Sequence, residues 1–424
     1  MLAYSQRVEA GPWFTAGRRL LASEVEERLA RSRPRGRAEP PYCVYVHVPF
    51  CASICGFCAL YTRAVAPGED DLLDEYLDLV VRSIESHPWN SPDRPPTTVH
   101  FGGGTPLFLG MPRFARLVRA LVSAFGTSPA CEWAVETTTS SVSEGTLEQL
   151  QALGFQRIHL GIQTLDDDTR ARIGRQETGA KALERIRSIE ERGIFSSVDL
   201  IIGFDGVGTS VVETDLQRLY DAGVRMFSIC ELRERGKPRL GIKDPAEKLD
   251  GTYRIWRKIW EFMDEKGLAP IHLGQFGRTQ ADNLYFTHPA RGEDCVAIGP
   301  YSHGSFGDVY YGNCLTPAFY EAVRAGNAPI EQGVEYAEDA RVIRALERAL
   351  LAHRVSEGLI DETLAAYPGD FPEVLDYWLR KELLIESTEG SFVHSLDGSW
   401  FVGNMVAEAR SMLDPAWQPY RRSA

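Results

Sequence analysis

Three cysteines, Cys51, Cys55 and Cys58, stand three and then two residues apart in His47-Val48-Pro49-Phe50-Cys51-Ala52-Ser53-Ile54-Cys55-Gly56-Phe57-Cys58. One short loop with that spacing can wrap a metal centre with three thiolates. It brings no fourth cysteine of the kind a closed zinc or iron–sulfur site uses, so part of the centre stays open to another ligand. Eight cysteines in 424 residues are too few for a secreted disulfide scaffold. Clustering of three of them favours a metal site in a reducing compartment.

The elements around this loop follow from hydrophobic periodicity. Tyr42 to Val48 is apolar and β-branched, a buried strand. Leu72, Leu73, Tyr76, Leu77, Val80, Val81 and Ile84 recur at three and four and mark an amphipathic helix. Five more strands are predicted at Thr97–Phe101, Glu132–Glu136, Gln156–Leu160, Ser197–Ile202 and Met226–Leu232. Helices between them include Met111–Phe125, Thr178–Gly193 and Ser210–Ala222. Alternating strands and helices imply a parallel sheet with right-handed crossovers. Six units over residues 42–240 predict a partial (β/α)6 barrel. The loops after such strands share one rim, which brings together the cysteine loop, Gly102-Gly103-Gly104-Thr105 and Glu136.

Residues 1–41 are expected to form an irregular arm and linker with a helix at Ala22–Arg31. Residues 241–334 extend the barrel: a long helix at Glu247–Gly267 precedes a glycine- and aromatic-rich stretch, 270–315, that reads as an irregular cover. Residues 335–424 read as helices followed by a hairpin around Thr388-Glu389-Gly390, a mostly helical, winged-helix-like domain. The net charge of −13 argues against a general nucleic-acid or anionic-membrane binder. Met1–Trp13 has no apolar signal core, and no apolar run approaches ~18 residues. A cytoplasmic protein without a membrane span is expected. Cys43, Cys131, Cys230, Cys295 and Cys314 are scattered and read as inert core residues, which leaves no second cluster.

The cysteine triplet after Tyr-Val-His-Val-Pro-Phe resembles the radical S-adenosylmethionine superfamily, in the branch typified by oxygen-independent coproporphyrinogen III oxidase. Four further stretches carry the likeness: Gly102-Gly103-Gly104-Thr105-Pro106, Arg157-Ile158-His159-Leu160-Gly161-Ile162-Gln163, Ile173-Gly174-Arg175-Gln176 and Asp199-Leu200-Ile201-Ile202-Gly203. The resemblance implies a 4Fe–4S cluster on Cys51, Cys55 and Cys58, with S-adenosylmethionine on its open iron. It implies that Gly102, Gly103, Gly104, Thr105 and Glu136 hold that ligand, with Tyr45 and Phe57 beside its adenine. A second S-adenosylmethionine would meet Gln163, Arg175 and Asp199. Read apart from the cysteines, the glycine run is also a plain turn and Glu136 a surface ion-pair partner, while Arg175 and Asp199 are also a structural pair. His303, in Gly299-Pro300-Tyr301-Ser302-His303-Gly304, is more often a packing residue than a catalyst.

The sequence also departs from that branch. Where the oxidases carry a further Cys, Leu60 follows Ala59. Phe204-Asp205, Cys230 and Thr137-Thr138-Thr139 replace the branch's usual residues after strand five, in strand six and after Glu136. These substitutions turn the expectation from porphyrinogen decarboxylation to a class C radical C-methyltransferase acting on an sp2 carbon of a heteroaromatic natural product, such as a thiazole or indole in a peptide antibiotic. The alternatives are a coproporphyrinogen oxidase or haem-processing enzyme, a cyclopropanase, and a haem chaperone. A small-molecule or modified-peptide substrate, a flavodoxin or ferredoxin as electron donor and a monomeric state go with the resemblance. No acid or base is assigned.

Overall fold

The structure is a computed structural model that describes residues 3–4, 6–8, 17–32, 41–232, 240–241, 244–338, 340–387 and 389–413. Six strands, β1 (Tyr42–Val48), β2 (Thr98–Gly103), β3 (Glu132–Thr137), β4 (Arg157–Gln163), β5 (Phe195–Ile202) and β6 (Met226–Glu231), lie parallel in chain order. Each is followed by a helix, from Asp70–Glu85 after β1 to Pro245–Glu265 after β6. This is the expected partial (β/α)6 barrel. The helices form because their apolar residues share one face: Asp70–Glu85 buries Leu73, Tyr76, Leu77, Val80 and Ile84. Ser143, Asp166, Thr178 and Asp244 start helices by accepting a backbone N–H that has no partner within the helix.

Strand ends differ from the sequence-based expectation in a way that matters for the site. β2 continues through Gly102 and Gly103, and β4 reaches Gln163, because ladder pairing carries on past the apolar residues: Gly103 pairs with Val48 and Gln163 with Leu200. The glycine run therefore begins inside a strand rather than after it. Arg175 does not lie in a helix, since the helix Asp167–Arg172 ends at Gly174, which has φ +85°.

Residues 270–315 are not an irregular cover. Asp294–Ile298 pairs parallel to β1 on the edge opposite β2, adding a seventh parallel strand. His303–Phe306, Val309–Asn313 and Ile330–Glu335 follow antiparallel, and Arg18–Leu20, in the arm expected to lack strands, closes that edge. Gln275–Gly277 and Ala269–His272 extend the other edge antiparallel, giving thirteen strands in one sheet. These strands are short and interrupted by glycine, so their alternation falls below what a sequence window can distinguish from loop.

The C-terminal part has helices Ala340–Leu351, Glu357–Ala366 and Phe371–Arg380 and a small sheet of Arg354–Ser356, Ser391–His394 and Leu384–Ser387, a winged-helix-like arrangement. Within the expected hairpin, Thr388 lies outside the described residues, as do residues 33–40 of the expected linker. Trp378 and Trp400 are fully buried here. The start of the chain docks onto this part: Tyr4 donates to Glu408 at 2.8 Å, and the Arg7 guanidinium lies 4.2 Å from the Trp400 ring. No helix among the described residues is long and apolar enough to cross a membrane.

Arg410 donates to Glu347 at 2.7 Å between helix Val402–Ser411 and helix Ala340–Leu351, both side chains being almost wholly buried. Burial pushes the Glu347 carboxyl up, and Arg410 offsets part of that shift. Arg410→Ala is expected to lower stability by about 3–5 kcal/mol, because it leaves a buried carboxylate unpaired. The double variant with Glu347→Leu should recover most of the loss. Denaturation midpoints of the three proteins check this.

Candidate active site

Cys51 ends a short strand, Phe50–Cys51, that pairs with Arg63–Ala64 and returns the cysteine loop to the sheet. Backbone bonds fix the loop at its base: Gly104 donates to Val48 and Thr105 to Phe50, each at 2.8 Å, and Gly56 donates to Ile173 at 3.2 Å. The three cysteines are half-buried and unbonded to each other. A cube of four irons spreads its thiolates over separate metal atoms. Burial pushes the Cys51 thiol up; the Thr105 hydroxyl, 3.5 Å from its sulfur, works the other way, and the neighbouring Cys58 and Cys55 add to the rise. A cationic metal at this loop would offset that rise and favour the Cys51 thiolate.

Next to the loop, the barrel lumen carries a row of polar side chains from adjacent strands. Glu136 on β3 accepts from His100 Nε2 on β2 at 2.8 Å. Burial alone would raise the Glu136 carboxyl, but His100, His159 and the Gly103 N–H outweigh it and hold it below the ordinary carboxylate range. His100, fully buried, is pushed down and stays neutral. One strand further, His159 Nε2 donates to Asp199 on β5 at 2.9 Å, and its Nδ1 lies 2.8 Å from the Ser197 hydroxyl. Burial disfavours the charged imidazole of His159, yet Asp199, and then Glu136, raise it above the ordinary histidine value. His159 thus lies between two carboxylates that open on the same cleft and that favour its protonated form.

Gln163 has φ +68°, a left-handed conformation uncommon for a residue with a side chain. Its surroundings over-determine it. Arg170 donates to the carbonyls on either side, Ile162 at 3.1 Å and Thr164 at 2.9 Å, while Asp215 accepts from the Thr164 hydroxyl and the Leu165 N–H. Such strain concentrates at functional sites. Among the described residues, Gln163 Oε1 and Arg175 Nε are both buried with no hydrogen-bond partner, and both side chains line the cleft. A ligand carrying a donor and a carboxylate would satisfy them.

The cleft has a volume of about 230 Å³ and is lined by Cys51, Cys55, Phe57, Cys58, Gly103, Gly104, Thr105, Glu136, Gln163, Arg175 and Asp199 among others. A family model described as the radical SAM superfamily matches residues 45–219, the segment that builds it. Residues 45–219 are similar to a radical SAM domain. Beyond it, the chain is 27% identical over 355 residues to the anaerobilin synthase of Escherichia coli O157:H7, covering 80% of this chain and 77% of that protein. It is 27% identical over 354 residues to the oxygen-independent coproporphyrinogen III oxidase of Pseudomonas aeruginosa, covering 77% and 75%. With the heme chaperone HemW of Lactococcus lactis it shares 21% over 387 residues, covering 87% and 97%. The structure of coproporphyrinogen III oxidase (HemN) from Escherichia coli superposes with a TM-score of 0.78 at 19% identity, over 95% of this chain and 99% of that one, and so has the same fold.

The cofactors of a radical SAM domain are a 4Fe–4S cluster and S-adenosylmethionine, and the residues present fit them. Cys51, Cys55 and Cys58 could ligate three irons, leaving the fourth to the amino acid moiety of S-adenosylmethionine. Glu136 and Asp199 offer acceptors for an amino group or ribose hydroxyls, and Arg175 a fork for a carboxylate. Two sequence-predicted site residues stand outside the cleft lining. The Tyr45 hydroxyl lies 3.1 Å from His47 Nδ1, and its ring stacks on Tyr285 at 5.0 Å, one layer below the cleft. Gly102 is hemmed in by the protein itself, since a Cβ there would come 2.8 Å from Glu136 Oε2 and 2.9 Å from Tyr45. Gly103, with φ +107°, faces the His47 ring in the same way. Close packing by itself therefore demands glycine at these two positions.

The alternative Arg175–Asp199 pair does not form: among the described residues Asp199 pairs with His159, and Arg175 lies 5.7 Å from the Phe57 ring. Sequence reasoning missed His159, Arg170 and His100. Arg157, His159, Gly161 and Gln163 alternate along β4, and that period of two could have flagged His159 as a lumen residue.

Two outcomes are expected. Cys51→Ala, Cys55→Ala or Cys58→Ala should abolish the visible absorption of the reconstituted cluster and all cleavage of S-adenosylmethionine; retention of both would remove the cysteines as ligands. His159→Phe should leave that absorption intact but weaken turnover. Loss of a charged hydrogen bond of roughly 1.5–3 kcal/mol corresponds to a ~10- to 100-fold higher S-adenosylmethionine requirement. Because His159 is raised, its charged bond to Asp199 is complete below the ordinary histidine pKa and is lost as pH rises through the higher folded value. The wild type should therefore lose affinity on the alkaline side, and His159→Phe should lack that limb.

Proposed function

We propose that this protein is a radical S-adenosylmethionine enzyme acting on a tetrapyrrole of the haem pathway, with two S-adenosylmethionine molecules in its cleft. The extent of the sequence likeness carries the substrate class. Similarity to a coproporphyrinogen III oxidase and an anaerobilin synthase runs over about 355 residues, well past the radical SAM domain that ends at residue 219. The part of the chain outside the shared radical generator is therefore alike too.

Features of the cleft support this reading. Leu60 and Ile54 are exposed apolar residues on the cluster loop, and both line the cleft. The exposed ring of Tyr301, with φ +60°, lies 4.9 Å from Tyr61 beside the same loop. An apolar, aromatic rim suits a flat macrocycle. Support for a second S-adenosylmethionine comes from the two groups left unsatisfied among the described residues, Gln163 Oε1 and Arg175 Nε.

When bound, the cluster and S-adenosylmethionine supply a radical able to abstract hydrogen. The chain's own residues hold and shield it. Glu136, kept ionised by His100, would take the first ligand beside Thr105, while Gln163, Arg175 and Asp199 would take the second. His159 sets the charge between the two. Methylation of a heteroaromatic natural product, expected from the substitutions, has no counterpart in the names of these relatives. Leu60 and Thr137–Thr139 do line the cleft, so the departures bear on which tetrapyrrole is bound and what becomes of it.

Anaerobically reconstituted protein given reductant and S-adenosylmethionine, with either haem or coproporphyrinogen III, tests the reading. One of the two should stimulate deoxyadenosine formation and change mass. Stable haem binding without turnover would instead favour a chaperone. Labelled methyl transfer to a thiazole or indole peptide, with both tetrapyrroles untouched, would restore the methylase.

A further inference from the structure

Two cysteines that read as inert in the sequence are brought together by the fold. Cys43 on β1 and Cys295 on the parallel strand Asp294–Ile298 are register partners. His288, just beyond the short helix Leu284–Thr287, completes a triad whose ligand atoms all lie within 4.8 Å of one another. We propose that Cys43, Cys295 and His288 form a zinc site, separate from the cysteine loop, that fastens the added edge of the sheet to β1.

Its chemistry favours this ion. Two thiolates and a neutral imidazole are borderline-soft ligands of the kind zinc takes in tetrahedral sites. Binding one divalent ion releases two thiol protons, so the closed site is neutral and can be buried. His288 Nδ1 bonds the Tyr285 carbonyl; when it donates there, Nε2 is left as the nitrogen able to meet a metal, the usual way an outer partner orients a metal-binding histidine. Cys43 is fully buried, but His288 and Cys295 border a cavity of about 350 Å³ that also reaches Asp294, Arg344 and Arg348. That cavity gives an ion its entry path and room for a water as fourth ligand.

The site lies away from the cleft. None of its three residues borders the cysteine loop's cavity, and Cys43 stands at the start of β1 whereas Cys51 follows its end. The same helix places the Tyr285 ring 4.4 Å from that of His100, the partner of Glu136. A metal tie here would hold the support beneath Glu136.

The full chain, reconstituted anaerobically with iron and sulfide so that Cys51, Cys55 and Cys58 are occupied, is given equimolar zinc, desalted and assayed by mass spectrometry of metals and by zinc X-ray absorption. One zinc per chain is expected, with two sulfurs at about 2.3 Å and nitrogen or oxygen at about 2.0–2.1 Å. Zinc should raise the melting temperature of the wild type but not of His288→Gln or Cys295→Ser, which should retain at least ~10-fold less metal. No retained zinc, a three-sulfur shell, or equal retention by both variants would overturn the proposal. So would a Cys43–Cys295 disulfide in the anaerobic protein by peptide mapping. The wild-type absorption spectrum decides the matter even if a variant does not fold.

Discussion

Strands of a parallel sheet turn alternate side chains to opposite faces, and in this partial barrel one face of each of the six parallel strands looks toward the lumen. Any polar group placed there must find a partner, since an unpaired buried charge is costly. The pairs His100–Glu136 and His159–Asp199 meet that demand across neighbouring strands. They do so near the strand ends where the cysteine loop opens. The requirement to satisfy buried polar groups thus aligns the acceptors of the cleft. Helices around the barrel serve mainly to cover the other face.

The same constraint explains which groups remain available to a ligand. Arg170 donates through Nε and Nη1 to three backbone carbonyls, and Asp215 is held by the turn it caps. They hold Gln163 in its left-handed conformation. Among the described residues, Gln163 Oε1 and Arg175 Nε are left without protein partners. A cleft whose walls are rigidly bonded, and whose few open valences point inward, is pre-organised for polar ligands. The apolar residues Ile54 and Leu60 stay outside this network, at the mouth.

The closure of the sheet ties the cleft to distant parts of the chain. Asp294–Ile298 pairs with β1, the strand that leads into the cysteine loop. The helix Leu284–Thr287 supplies Tyr285, which stacks in the row with Tyr45 and His100. Through Tyr4 and Arg7 the beginning of the chain locks onto the C-terminal part, and Arg7 also pairs with Glu231 at the end of β6. The radical SAM domain is therefore braced on both edges by segments far away in sequence.

From sequence alone, local signals determined the six strand–helix units, the helix boundaries at Ala22–Arg31 and Met111–Phe125, and the gathering of the cysteine loop, the glycine run and Glu136 on one rim. Those features depend on periodicity and on strand direction, both of which are short-range. Tertiary structure alone decided that residues 270–315 are strands, that Tyr45 packs beneath the cleft, that Asp199 pairs with His159 rather than Arg175, and that Cys43 meets Cys295. Each of these outcomes depends on which strand lies beside which. Neighbours in a sheet are chosen by long-range pairing, and no window of sequence contains both partners.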